Sequence, residues 1–276
     1  YNLIQGNNLT VTRVRPKNKV VRESHSVGEA MEDLRRLAEE RLGKADLNSG
    51  LDYGTIAISK YRKSNGTNSW LVTIPGTDGK RDSPFGWPQN VELMSSDSKQ
   101  RMEADSARMV QEAMKQAGIH SDEPVALIGH SQGGIVAATI ASDLKDDYDV
   151  KHVVTAGSPV ANHPIPNKTW VTSVEMDDEL VAALDGAPNP NSEHWLTVRG
   201  TASKSDNNPE STFAGTPVTD APDNKEITHW LKYHQAAYQN ATDMGSSAVK
   251  THERHFDEIL DGDLQEVMYF KGRMSK

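Results

Sequence analysis

The run Val125-Ala126-Leu127-Ile128-Gly129-His130-Ser131-Gln132-Gly133-Gly134 sets one serine between two glycines at the end of an apolar stretch. A Gly-x-Ser-x-Gly string arises by chance in about one chain in ten of this length, so its flanks decide what it means. Pro124 precedes the run, and the aliphatic residues after it read as a strand buried on both faces. Residues 135–141 then read as a buried helix lying close on a sheet. A strand, a sharp turn and a helix in that order hold a serine in a strained backbone conformation with its hydroxyl exposed. Gly129 and Gly133 flank the serine because a Cβ at either would crowd the strand or the helix. This predicts Ser131 as a nucleophile for acyl chemistry. The plainer alternative is a serine in an ordinary strand-to-helix turn of a doubly wound fold.

A serine hydroxyl is a weak nucleophile at neutral pH. It needs a histidine to take its proton and a carboxylate to hold that histidine in one tautomer. On such a scaffold the partners follow in the order serine, acid, histidine. The strand pattern Trp170-Val171-Thr172-Ser173-Val174 runs into Glu175-Met176-Asp177-Asp178-Glu179, a carboxylate cluster where the acid belongs. A solvated acidic turn is the alternative reading. Candidate bases beyond it are His194, His229, His234, His252 and His255. His194 precedes a strand pattern and comes too early. His252 and His255 lie on a charged helix face, without the spacing of a zinc signature, and read as surface residues. His229 and His234 are five apart, so on one helix they point about 140° apart and cannot both face a site. His234 falls within the apolar stripe of Ile227, Trp230, Leu231, Ala237, Tyr238 and Ala241, whereas His229 lies opposite. His234 is preferred. If the helix begins after His229, that residue becomes the better base.

The elements that must position these groups are visible in outline. Residues 8–22 alternate and read as an edge hairpin. Ser26 and Glu29 form a capping box before a helix with Met31, Leu34, Leu37 and Leu42 inward and Gly43 at its end. Residues 54–62 and 69–75 read as strands joined by a turn at 64–68. Residues 99–117 read as a helix, with Met102, Val110, Ala113 and Met114 inward and Gly118 as its stop. Strand patterns recur at 153–156, 170–174 and 195–198, and helical stretches at 227–241 and near 251–260. Strands alternating with helices imply an α/β fold with a mostly parallel central sheet covered on both faces, in one domain spanning 1–276. Residues 202–226 break this pattern; they are rich in Ser, Asp, Asn, Pro, Thr and Gly and read as a long structureless loop, either a lid or a disordered segment.

Composition bounds the function. The chain has 276 residues, 25% charged and 36% hydrophobic, and a net charge of −9. An acidic surface argues against nucleic acid and anionic lipid as electrostatic partners. No apolar run approaches the roughly 20 residues of a membrane span. The chain holds no cysteine, so disulfides and thiolate metal sites are excluded. Residue 1 is Tyr, which suggests a processed or trimmed chain and leaves cytoplasmic and secreted locations open.

Four stretches together resemble bacterial α/β-hydrolases of the class 3 lipase type. They are Ile74-Pro75-Gly76-Thr77, the Ser131 motif, Thr155-Ala156-Gly157-Ser158-Pro159, and the acidic turn leading into Leu180-Val181-Ala182-Ala183-Leu184. The resemblance implies the α/β-hydrolase fold and ester hydrolysis without metal or organic cofactor, on a small-molecule or lipid ester. That family shows an aspartate, a short spacer and Val-Pro; here Ala182 holds the proline position and one residue is extra. Counting forward from Val174 points to Asp178, counting back from Val181 points to Glu179, and Asp178 is preferred because the strand end fixes it more firmly. The oxyanion donors implied are the backbone N–H of Gln132 and the N–H and hydroxyl of Thr77. His130 and the aromatics Phe85 and Trp87 are expected at the substrate pocket, although Phe85, Trp87, Pro88 and Leu93 equally suit a minor core under a long loop. Other acyl chemistry on the same three residues (thioester or amide hydrolysis, acyl transfer) and a catalytically silent binding module are the alternatives.

Overall fold

The computed structural model describes residues 8–86, 101–102, 104–176, 189–190, 192–200, 202–204, 211–213, 216–218 and 231–276. In chain order the strands of the main sheet are β1 (Asn8–Val14), β2 (Thr55–Arg62), β3 (Asn68–Ile74), β4 (Pro124–His130), β5 (Asp149–Ala156), β6 (Trp170–Met176), β7 (Trp195–Gly200) and β11 (Asp263–Ser275). The helices are α1 (Val27–Glu40), α2 (Asp105–Ala117), α3 (Gln132–Asp143), α4 (Leu231–Asp243) and α5 (Ser247–Ile259). Strand order across the sheet is β1-β11-β2-β3-β4-β5-β6-β7. Pairing is parallel from β3 through β7 and antiparallel from β1 through β3.

β4 shows why the centre of the sheet reads as an unbroken apolar run. Val125 and Leu127 pack into the core under α2 and α3, while Ala126 and Ile128 pack into the core under α1, α4 and α5. Successive side chains leave opposite faces of a strand, so a strand covered on both sides needs apolar residues at every position. α3 is likewise buried almost all round, from Gln132 to Ser142. Half of the expected capping box forms: Ser26 Oγ accepts from Glu29 N at 3.0 Å, while Glu29 Oε1 accepts from His25 N at 3.0 Å. The turn at 64–68 joins β2 to β3, and Gly118 closes α2.

Four expectations need correction. β1 is an edge strand, but residues 8–22 do not form a hairpin; β1 pairs instead with β11, register Asn8↔Ser275. β11 itself was not anticipated. It alternates imperfectly, with a register shift between Leu264 and Glu266. The stretch 202–226 is not structureless throughout. β8 (Ala202–Lys204), β9 (Ser211–Phe213) and β10 (Thr216–Val218) pair antiparallel into a separate small sheet, whose β9 and β10 lie against α4. Short polar strands of three residues carry too little periodicity to be recognised from sequence.

His252 and His255, expected at the surface, are the fourth. His252 is 3% exposed and His255 is half-buried. Both pack on the amino-terminal ends of β5 and β6, at the opposite end of the sheet from Ser131. The His152 Nδ1 and His255 Nδ1 atoms lie 2.9 Å apart, His152 Nε2 and Thr172 Oγ1 2.8 Å apart, and the indole of Trp170 stacks between His194 and His255. Burial pushes the His152 imidazole well down, with His255 and His252 adding to the effect. Burial likewise lowers His252, and it lowers His255 to about 4, helped by His252, His194 and Lys151. These rings are neutral in the native state. An unfolded chain binds their protons first, near pH 6.5, so their contribution to stability is complete above that pH and is lost as pH falls toward 4. Asp257, which burial beside Glu253 pushes up to about 8, contributes the opposite slope over the same range. The test is therefore a difference: His255→Gln should lose less stability than wild type between pH 6.5 and 4 in parallel denaturant titrations. Parallel curves would refute the neutral cluster.

Candidate active site

Ser131 stands at the turn between β4 and α3 with φ 56° and ψ −121°. A non-glycine residue in this region is held there by its surroundings at a cost of about 1–3 kcal/mol. The restraints are identifiable. Ser131 N donates to Ala156 O at 2.9 Å, and its carbonyl accepts from Ser158 Oγ at 2.9 Å and from Gly134 N at 3.0 Å. Ser158 was visible in sequence as part of Gly-Ser-Pro, but not its grip on the turn. A Cβ on Gly129 would sit 2.2 Å from Gly133 O, and one on Gly133 would sit 2.0 Å from Ile74 O. The two glycines thus let β4, α3 and the end of β3 meet, as the sequence reading required. Ser131 is 8% exposed and opens the amino terminus of α3.

The loop after β3 closes on this turn. Gln132 Nε2 donates to Thr77 Oγ1 at 3.0 Å and to Gly86 O at 2.9 Å. Gly76 lies so near that a Cβ there would be 3.1 Å from Ser131 Cβ. Thr77 and Gln132 are therefore brought together beside Ser131. The loop is also anchored from behind by a pair the sequence did not suggest. Arg41 Nη1 donates to Asp78 Oδ2 at 3.2 Å and Arg41 Nη2 to Gly76 O at 2.9 Å, with both side chains buried. Burial pushes the Arg41 guanidinium down to about 10, against the pull of Asp78, so it stays charged at neutral pH.

From the other side comes α4, packed on β6 and β7. It buries His234 completely and sets its ring against that of His130, centroids 5.8 Å apart. His130 is the residue before Ser131, so the preferred base and the serine turn share one neighbourhood. The described part of α4 begins at Leu231; His229, and with it the helix start on which the choice of base turned, lies outside the described residues. So do Asp178 and Glu179, two and three positions beyond the last residue of β6, and Trp87. The end of β6 is nonetheless in register with the serine strand: His130 pairs with Ala156 and Ala156 with Val174. Phe85 is 1% exposed and packs in the core under α2 and α3. Among the described residues no group of three or more histidines and carboxylates is placed to hold a metal ion.

A family model for PGAP1-like alpha/beta domains matches residues 90–214, a span that holds Ser131, Ser158 and the carboxylates at 175–179. No curated protein sequence matches the chain. The mostly parallel sheet, the helices on both faces and this match together show an α/β-hydrolase fold. Among the described residues no helix is long and apolar enough to cross a membrane.

Proposed function

We propose that this chain is a serine hydrolase that cleaves carboxylic esters, lipid esters among them, through an acyl-enzyme intermediate. The observation that carries this reading is Ser131 at positive φ at the head of buried α3, with Thr77 and His234 converging on the same turn. His234 takes the Ser131 proton as Oγ attacks the ester carbonyl carbon. The Gln132 N–H and Thr77 stabilise the oxyanion, and the leaving alkoxide departs as the alcohol with the proton from His234. Water, deprotonated by His234, then releases the acid and restores Ser131. Asp178 orients His234, with Glu179 as the alternative acid and His229 as the alternative base. Preference for oxygen esters over thioesters or amides rests on the class 3 lipase resemblance, and the 202–226 stretch is the lid in this reading.

A fluorophosphonate probe tests it. Intact-mass analysis should show one adduct on wild type, mapped to the peptide holding Ser131 and absent from Ser131→Ala. An unlabelled wild type, under conditions that label a known serine esterase, would overturn the reading. His234→Ala should abolish hydrolysis of p-nitrophenyl esters while His229→Ala stays near wild type; the reverse would move the base to His229. A panel of matched esters, thioesters and amides ranks the acyl chemistry.

A further inference from the structure

Arg41 grips the residues on either side of Thr77, Gly76 by its carbonyl and Asp78 by its carboxylate, and the hydrogen bonds around this buried pair say what it is for. Asp78 Oδ2 accepts from Arg41, from Gly54 N at 2.9 Å and from Ser83 Oγ at 2.8 Å, while Oδ1 accepts from Lys80 N at 3.0 Å. The carboxylate thus ties together the loop after β3. The second guanidinium nitrogen takes the carbonyl of Gly76. That carbonyl belongs to the peptide whose N–H is Thr77's. The bond is trans, so its C=O and N–H point in opposite directions from one rigid plane. Holding the carbonyl toward Arg41 commits the Thr77 N–H to the other side. The loop carries that plane past the Ser131 turn, where a Cβ on Gly76 would lie 2.9 Å from His130 O and 3.1 Å from Ser131 Cβ. Burying a guanidinium costs desolvation free energy that pairing returns only in part, so this pair is a poor device for stability alone. A planar fork can grip a carbonyl and a carboxylate at once; a single ammonium cannot hold both in the same geometry.

We propose that Arg41 is a positioning residue for the oxyanion donor: by clamping Gly76 O and Asp78 together it turns the Thr77 N–H toward Ser131. The inference rests on the acyl chemistry proposed above, and deepens it. Ester hydrolysis by the whole chain tests it, with kcat and KM separated, alongside affinity for a phenylboronic acid, which adds to a reactive serine as a tetrahedral anion. Arg41→Met should lower kcat by about 10²-fold, the scale of a lost oxyanion donor, at unchanged KM. Boronic-acid affinity should fall in proportion. Arg41→Lys should lie between, and guanidinium ion added to Arg41→Ala should restore part of kcat. A folded Arg41→Met with wild-type kcat, or a loss confined to melting temperature with boronic-acid affinity intact, would overturn the proposal. Should the Met and Ala variants fail to fold, Arg41→Lys decides by the same kcat and affinity readouts. A wild type that forms no probe adduct removes the serine reading and this one with it; an adduct on wild type together with unchanged kcat in the variants removes this one alone.

Discussion

Ser131→Ala is expected to lower ester turnover by about 10⁴-fold or more, with little change in stability. The loss is that large because, in the proposed reaction, the Ser131 Oγ is the atom that forms the acyl bond. Stability should change little because the restraints on the turn act on the backbone: the Ala156, Ser158 and Gly134 bonds involve the N–H and carbonyl of residue 131, not its side chain. Alanine keeps them. His234→Ala should cost a similar factor, and the double variant should cost no more than either single one. Residues that act as a unit are strongly non-additive, since removing one leaves the other with nothing to do. Steady-state kinetics on the four proteins measures this. Multiplicative losses would show that the two residues act independently and would break the proposed Ser131–His234 unit.

Gly133→Ala is expected to be the most damaging small change in the fold. The added methyl would lie 2.0 Å from Ile74 O and 2.5 Å from Pro75 O, both backbone atoms of the strand end that leads into the Thr77 loop. Neither can rotate away. The helix and β3 must separate, so the cost is overpacking with no relief, about 3 kcal/mol or more. The same displacement draws the loop away from Ser131, so activity should fall even in the folded fraction. Gly28→Ala is the control. Its nearest atom would be Ser26 Oγ at 3.9 Å, in the first turn of α1, and loss of backbone freedom in the unfolded chain should leave it neutral or up to ~1 kcal/mol more stable. Denaturant melts of the two variants against wild type decide the matter. A Gly133→Ala variant within experimental error of Gly28→Ala would mean the close approach of α3 to β3 is not rigid.

Much of the site was legible because its parts obey short-range rules. The glycines around Ser131 answer to steric contact within one turn. Ser26 satisfies the N–H of Glu29, three residues on in the first turn of α1. His234 was placed inward by counting around one helix, and burial of its ring agrees. The proposed acid was narrowed to Asp178 or Glu179 only as far as a strand end can be counted, and both lie outside the described residues. Phe85 could not be assigned between pocket and core, since an aromatic residue suits both until neighbours exclude water from it. His252 and His255 were misplaced for a related reason. The charged residues around them mark a helix face as exposed, whereas the ends of β5 and β6, with Trp170, and the backbone of Glu193 cover it.

By itself the sequence determined the serine turn, the alternation of strands and helices and the inward face of α4, because each follows from bond geometry and from the period of apolar residues within about a dozen positions. Tertiary structure alone decided that β11 crosses back between β1 and β2, that four histidines gather at the far end of the sheet, and that Arg41 reaches the loop beside Ser131. Those contacts join residues tens to hundreds of positions apart. They exist because two surfaces are dehydrated together, and a charge buried there must find its partner wherever the packing puts one.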